Sequence, residues 1–242
     1  MNKPLRLFTI LSSVFLTALL LAEITGGKLI KFELSANLAF TMTMGVIPFP
    51  VTFIITDIIN EYYGRRGMRF VTFVGMGMVL FALLLLQIDM AVPAAAISPV
   101  TDEAFTMVFG FSARIIVGSL IAYMIGQLVD ISVFHFIRAR TGGKYLWLRA
   151  TGSTVVSQLI DSFVVLFIAF LGPLTVSQIL VIGTTNYLYK FIIAILITPF
   201  LYLVHHFVDR YLGKNLAAAM TEDAHRGAAL ELTEEHVPPS SH

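Results

Sequence analysis

The chain has 242 residues, 57% of them hydrophobic and only 13% charged, with a mean hydropathy of +0.85. Those values exclude an ordinary soluble globular domain and indicate an integral membrane protein. The formal charge of +1 gives no ground for nucleic-acid binding, and the absence of Cys excludes disulfides and thiolate metal sites.

In chain order, apolar runs at 7–24, 37–59, 70–90, 112–136, 154–171 and 179–204 are each long enough to cross about 30 Å of hydrocarbon as a helix. They are continuous rather than alternating, which argues against a membrane barrel. The expected fold is therefore an all-α bundle of six transmembrane helices over residues 1–214, followed by a disordered acidic tail at 215–242. The first run follows Lys3 and Arg6 as a signal peptide would, but Ala22-Glu23-Ile24 continues it without a small-residue cleavage pattern, so it reads as a retained span.

Alternation of six helices puts Lys3, Arg6, Arg65, Arg66, Arg69, Arg138, Arg140, Lys144, Arg149, Arg210, Lys214 and Arg226 on one side, and Lys28 and Lys31 on the other. The excess of Lys and Arg places both termini in the cytoplasm.

The second run contains Pro48 and Pro50, which remove backbone donors and are expected to interrupt that helix near mid-membrane. Asp57, Asn60 and Glu61 follow at i, i+3 and i+4, one helical face near the cytoplasmic boundary. The fourth run starts with Arg114, within snorkelling reach of the headgroups, and carries Gln127 and Asp130. The fifth carries Gln158 and Asp161, and the sixth Asn186 and Lys190. A charge at a helix centre costs about 2.5–3.5 kcal/mol on insertion scales, so these groups are expected to face a shared interior that receives a polar ligand. The structural alternative is a set of ion pairs, Asp161 with Lys190 for example, that only joins helices. His135, His205 and His206 sit at cytoplasmic ends and carry no weight in this reading.

Enzymatic constellations are missing from the sequence: there is no His-Glu-x-x-His and no Gly-x-Ser-x-Gly, and Asp-Ile-Ile-Asn-Glu is a single acidic cluster where magnesium–diphosphate chemistry uses more. No cofactor or metal is called for. A carrier of a small polar solute is the expectation that remains.

The segments FPVTFIITDIINEYYGRR, then ARIIVGSLIAYMIGQLVDISVFHFIRARTGGKYLWLRATGSTVVSQLIDSFVVLFIAF, then NYLYKFIIAILITPFLY resemble, in order and spacing, the queuosine precursor transporters, also called vitamin-uptake-like transporters. The resemblance spans about residues 10–210. It implies a six-helix importer of the cell inner membrane that carries 7-cyano- and 7-aminomethyl-7-deazaguanine. For such a base, a carboxylate suits the N1–H and N2–H₂ donors, Gln158 and Asn186 suit O6 and N7, and Phe49, Phe134, Phe163 or Tyr187 could stack on the ring. The alternative is a substrate-binding subunit of an energy-coupling vitamin importer, with Ala18-x-x-x-Ala22 as a patch for a partner helix.

Overall fold

The computed structural model describes residues 2–35, 38–141 and 146–226. Asn2 starts the first helix, α1 (Lys3–Thr25), by accepting the Leu5 N–H on its side-chain oxygen at 3.0 Å. Gly26 and Gly27 end it, and an antiparallel hairpin of β1 (Leu29–Ser35) and β2 (Leu38–Thr43) follows. Leu29 pairs with Thr43 and Phe32 with Phe40. The period of two is readable in both strands: Ile30 and Phe32 alternate with Lys31 and Glu33, and Phe40 and Met42 with Thr41 and Thr43.

That hairpin corrects the expected second span. Residues 38–43 are strand, a 3₁₀ turn covers Met44–Val46, and α2 (Phe49–Ala91) begins only then. Pro48 and Pro50 do not interrupt a helix; they start one. The Pro48 carbonyl accepts from the N–H groups of Val51 and Thr52 at 3.1 and 3.2 Å, and Pro50 lies in the first turn, where a missing N–H costs nothing. The interruption lies instead at Gly64, whose φ of 66° and ψ of −175° divide α2. As one straight helix its 43 residues would measure about 65 Å, roughly twice the hydrocarbon thickness.

Three further helices complete the apolar part: α3 (Asp102–Thr141), α4 (Leu146–Phe170) and α5 (Val176–Leu212). Thr175 and Gln178 cap α5 reciprocally, the Thr175 hydroxyl accepting the Gln178 N–H at 3.3 Å and the Gln178 side-chain oxygen accepting the Thr175 N–H at 2.9 Å. Among the described residues, Lys3–Thr25, Met44–Ala91, Asp102–Gly126 and Val176–Leu212 are long and apolar enough to cross a membrane, with Gln158–Phe170 a shorter apolar helix. The chain is thus a mostly helical, multi-pass membrane protein, with a single hairpin among the described residues.

Contacts divide it into two units. The first comprises Met1–Leu21, Ile47–Met78 and Ile192–His242. Its core is Phe8 and Phe15 of α1, the Ile55, Ile58, Ile59 and Tyr62 stripe of α2, and Val208 and Leu212 of α5. The Tyr63 hydroxyl donates to the Pro4 carbonyl at 2.8 Å and its ring lies 4.9 Å from that of Phe8. The second unit comprises Ala22–Val46 and Val79–Phe191. Ile115, Leu166, Ala169, Phe170, Ile179 and Ile182 form its core. Close approaches tighten it: a Cβ on Gly118 would meet the Val165 carbonyl at 3.2 Å, and one on Gly183 would meet the Phe163 ring at 2.5 Å.

The expected tail of 215–242 opens as a sixth helix, α6 (Lys214–Arg226), turned from α5 at Gly213 with φ of 93°. Residues 227–242 lie outside the described residues. The reason is an apolar stripe inside a polar-looking segment: Ala217 is buried in the first unit's core, with Leu216 and Met220 packed beside it. The backbone at Ala224 also lies 3.2 Å from where a Gly64 Cβ would be. A chain ending at Gly213 should therefore be less stable than one ending at Arg226 by roughly 2–4 kcal/mol. Thermal unfolding in detergent measures the difference; equal midpoints would remove α6 from the core.

Candidate functional site

Charged and amide side chains within apolar helices are the groups that most need partners here. In the second unit they gather around the last turn of α1. Ser112 and Ser119 of α3 are two turns apart on one face. The Ser112 hydroxyl donates to the Ile24 carbonyl at 2.6 Å and the Ser119 hydroxyl to Glu23 Oε2 at 2.8 Å. This clasp depends on Gly26, since a Cβ there would meet Ile115 at 3.1 Å. Glu23 interacts electrostatically with Asp161 of α4 and Lys190 of α5.

Lys190 Nζ lies 3.6 Å from Asp161 Oδ2, with side chains 24% and 33% exposed. That separation makes an ion pair and is longer than a direct hydrogen bond. One turn before Lys190, the buried Asn186 makes a reciprocal pair with Thr43, the last residue of β2. The Thr43 N–H donates to Asn186 Oδ1 and Asn186 Nδ2 donates to the Thr43 hydroxyl, each at 3.2 Å. The hairpin thereby fixes the part of α5 that presents Lys190. Two carboxylates and one ammonium, carried by α1, α4 and α5, offer hydrogen-bond acceptors and a cation to a polar molecule.

The sequence-expected residues divide accordingly. Asp161, Asn186 and Lys190 belong to this cluster, while the side chains of Gln127 and Asp130 lie outside the described residues. Gln158 is exposed. Arg114 is exposed as well and donates to the Leu171 carbonyl at 3.1 Å, so its guanidinium caps the end of α4. Asp57, Asn60 and Glu61 belong to the first unit, where Asn60 is exposed because Ile58, Ile59 and Tyr62 take the buried face.

Asp57 has a partner that the sequence reading set aside. His205 Nε2 lies 2.8 Å from Asp57 Oδ2, His205 Nδ1 lies 3.3 Å from the Tyr62 hydroxyl, and that hydroxyl donates to Asp209 Oδ1 at 2.7 Å. Glu23, Thr43 and Ser119 were also absent from the expected set. Glu23 carried a signal, being an acid in the last turn of an apolar run just as Asp57 is; a lone Ser or Thr carries none.

The family model described as "Putative vitamin uptake transporter" matches residues 43–204. Among curated proteins, the "Probable queuosine precursor transporter" of Bacillus subtilis is 34% identical over 67% of this chain and 71% of its own length. The "Probable queuosine precursor transporter" of Haemophilus influenzae is 29% identical over 70% of this chain and 71% of its own. The "Queuosine precursor transporter" of Escherichia coli is 30% identical over 62% of this chain and 65% of its own. No solved structure matches the chain.

If the Asn186–Thr43 pair positions α5, its two bonds should be separable. Asn186→Ala strands a buried N–H and should lower stability by about 1–3 kcal/mol, whereas Thr43→Val removes one bond only and should cost less. Thermal unfolding of the two variants gives the order; the reverse order would contradict the pairing.

Proposed function

The chain belongs to the vitamin uptake transporter family and is a transporter, not an enzyme, and we propose that it imports queuosine precursors across the cell inner membrane. The substrates in this reading are 7-cyano- and 7-aminomethyl-7-deazaguanine, carried by six spans with both termini in the cytoplasm. Three relatives bearing the queuosine precursor name support the substrate class. The excess of Lys and Arg at one set of loops supports the orientation.

The observation that carries the binding site is the Asp161–Lys190 ion pair, with Glu23 of the same unit acting on both electrostatically. Each charge is costly in a membrane helix, and a buried ion pair is rarely better than an apolar replacement, so stability alone accounts poorly for three. A guanine-type edge presents N1–H and N2–H₂ donors beside the O6 acceptor. We assign the donors to the carboxylates of Asp161 and Glu23, and O6 to Lys190. Ser119 occupies one oxygen of Glu23 and orients the group. Bonds of this kind, with one ionised member, are about twice as strong as neutral ones.

Uptake of labelled base by proteoliposomes holding only this chain tests the reading, since a binding subunit of an energy-coupling importer would sustain none. Losing one partner of a desolvated, charged hydrogen bond costs about 2–5 kcal/mol. Glu23→Gln and Asp161→Asn should each weaken base binding by roughly thirtyfold or more, and Ser119→Ala by less. If Asp161 serves only to neutralise Lys190, the combined Asp161→Asn and Lys190→Gln protein would recover parental affinity, contrary to this assignment.

A further inference from the structure

The first unit contains a line of polar groups that base recognition does not use. It runs Asp57, His205, Tyr62, Asp209, alternating between α2 and α5. Three hydrogen bonds join the four groups, and each needs one proton. With both acids ionised and the imidazole neutral, only two protons are present: one on His205 and one on the Tyr62 hydroxyl. If the hydroxyl donates to Asp209, as the 2.7 Å contact indicates, its oxygen must accept from His205 Nδ1. His205 Nε2 must likewise donate to the Asp57 carboxylate, which has no proton to give. All three bonds are made only when a third proton is bound. The imidazole faces an acceptor at each of its two nitrogens and can carry a proton on both, so the third proton belongs on His205.

We propose that this line is the binding site of a proton that enters together with the transported molecule. The site is built for exchange: Asp57 at one end is 45% exposed, while Tyr62 in the middle is buried. With the proton, α2 and α5 are joined by three bonds. Without it, the Tyr62 hydroxyl must choose between Asp209 and His205, and one bond is lost. The helix that feels this change, α5, also carries Asn186 and Lys190, and Pro199 between them and His205 leaves α5 without one backbone hydrogen bond. Other charged groups of the packed elements include Arg6 on α1, Arg65, Arg66 and Arg69 on α2 and Lys214 on α6, all exposed. Glu61 on α2 acts electrostatically on Tyr62, Lys3 on α1 lies 5.9 Å from the Tyr211 ring, His206 and Arg210 on α5 are exposed, and α6 carries Glu222 and Asp223.

The test begins with the full chain in nanodiscs, its histidines labelled with ¹⁵N and the His205 signal identified by its loss in His205→Gln. With the line of hydrogen bonds complete, both ring nitrogens of His205 should carry a proton. Tyr62→Phe keeps the ring, removes the middle acceptor, and should lower the doubly protonated fraction severalfold. A singly protonated His205 in the parental chain, or a fraction unchanged by Tyr62→Phe, would overturn the proton site. The coupling rests on the transport reading and is measured separately, in proteoliposomes with a trapped pH dye. Base uptake by the parental chain should bring in about one proton per base; base entry with no proton entry would overturn coupling. If neither deazaguanine base enters, the substrate reading fails and the nitrogen spectra still decide the proton site.

Discussion

The constraint on which the structure depends is the cost of placing a charge among apolar helices. A helix of this chain can carry one ionised group and still insert, but it cannot leave that group without a partner. The partners found are specific: Ser119 for Glu23, Lys190 for Asp161, Thr43 for Asn186, and His205 for Asp57. Each joins two different elements, and all but the Asp161–Lys190 pair join elements that are not neighbours in the chain. The polar groups therefore serve both as functional candidates and as the fasteners that fix which helices meet.

Glycine does the complementary work. Gly26, Gly118 and Gly183 stand where a methyl group would collide with Ile115, the Val165 carbonyl or the Phe163 ring. These approaches bring α1, α3, α4 and α5 close enough for short side chains such as Ser119 to reach across. At Gly64 the demand is conformational, since its φ of 66° is open to glycine and strained for other residues. The break at Gly64 divides the run of 43 residues into a shorter segment before it and a longer one after it.

The apolar runs were legible because burial in lipid needs only composition and length. The hairpin is hidden although its alternation is visible, because Leu38, Phe40 and Met42 merge with the apolar run that follows and make one long stretch. Pro48 and Pro50 were legible as punctuation but not as a helix start, which depends on where the preceding strand stops. Asp161, Asn186 and Lys190 stood out by their cost in lipid. Their grouping with Glu23 and Thr43 did not, because no local pattern records contacts made between distant elements. His205 looked like a surface imidazole until Asp57 and Tyr62 were seen beside it. The α6 stripe of Leu216, Ala217 and Met220 was hidden by its acidic neighbours.

Two polar clusters on one helix suggest a division of labour, with the Asn186–Lys190 part of α5 serving the base and the His205–Asp209 part serving the proton. The claim most exposed to test is that Glu23 and Asp161 read the base. Magic-angle-spinning NMR of the chain in lipid, with ¹⁵N at N1 and N2 of 7-cyano-7-deazaguanine and ¹³C at the Asp and Glu carboxyls, measures those contacts by dipolar recoupling. Hydrogen-bonded geometry places the labelled nitrogens within about 4 Å of the carboxyl carbons of Glu23 and Asp161, and the Glu signal should vanish in Glu23→Gln. Recoupling to Asp57 alone, or to no carboxylate while the base is bound, would contradict it.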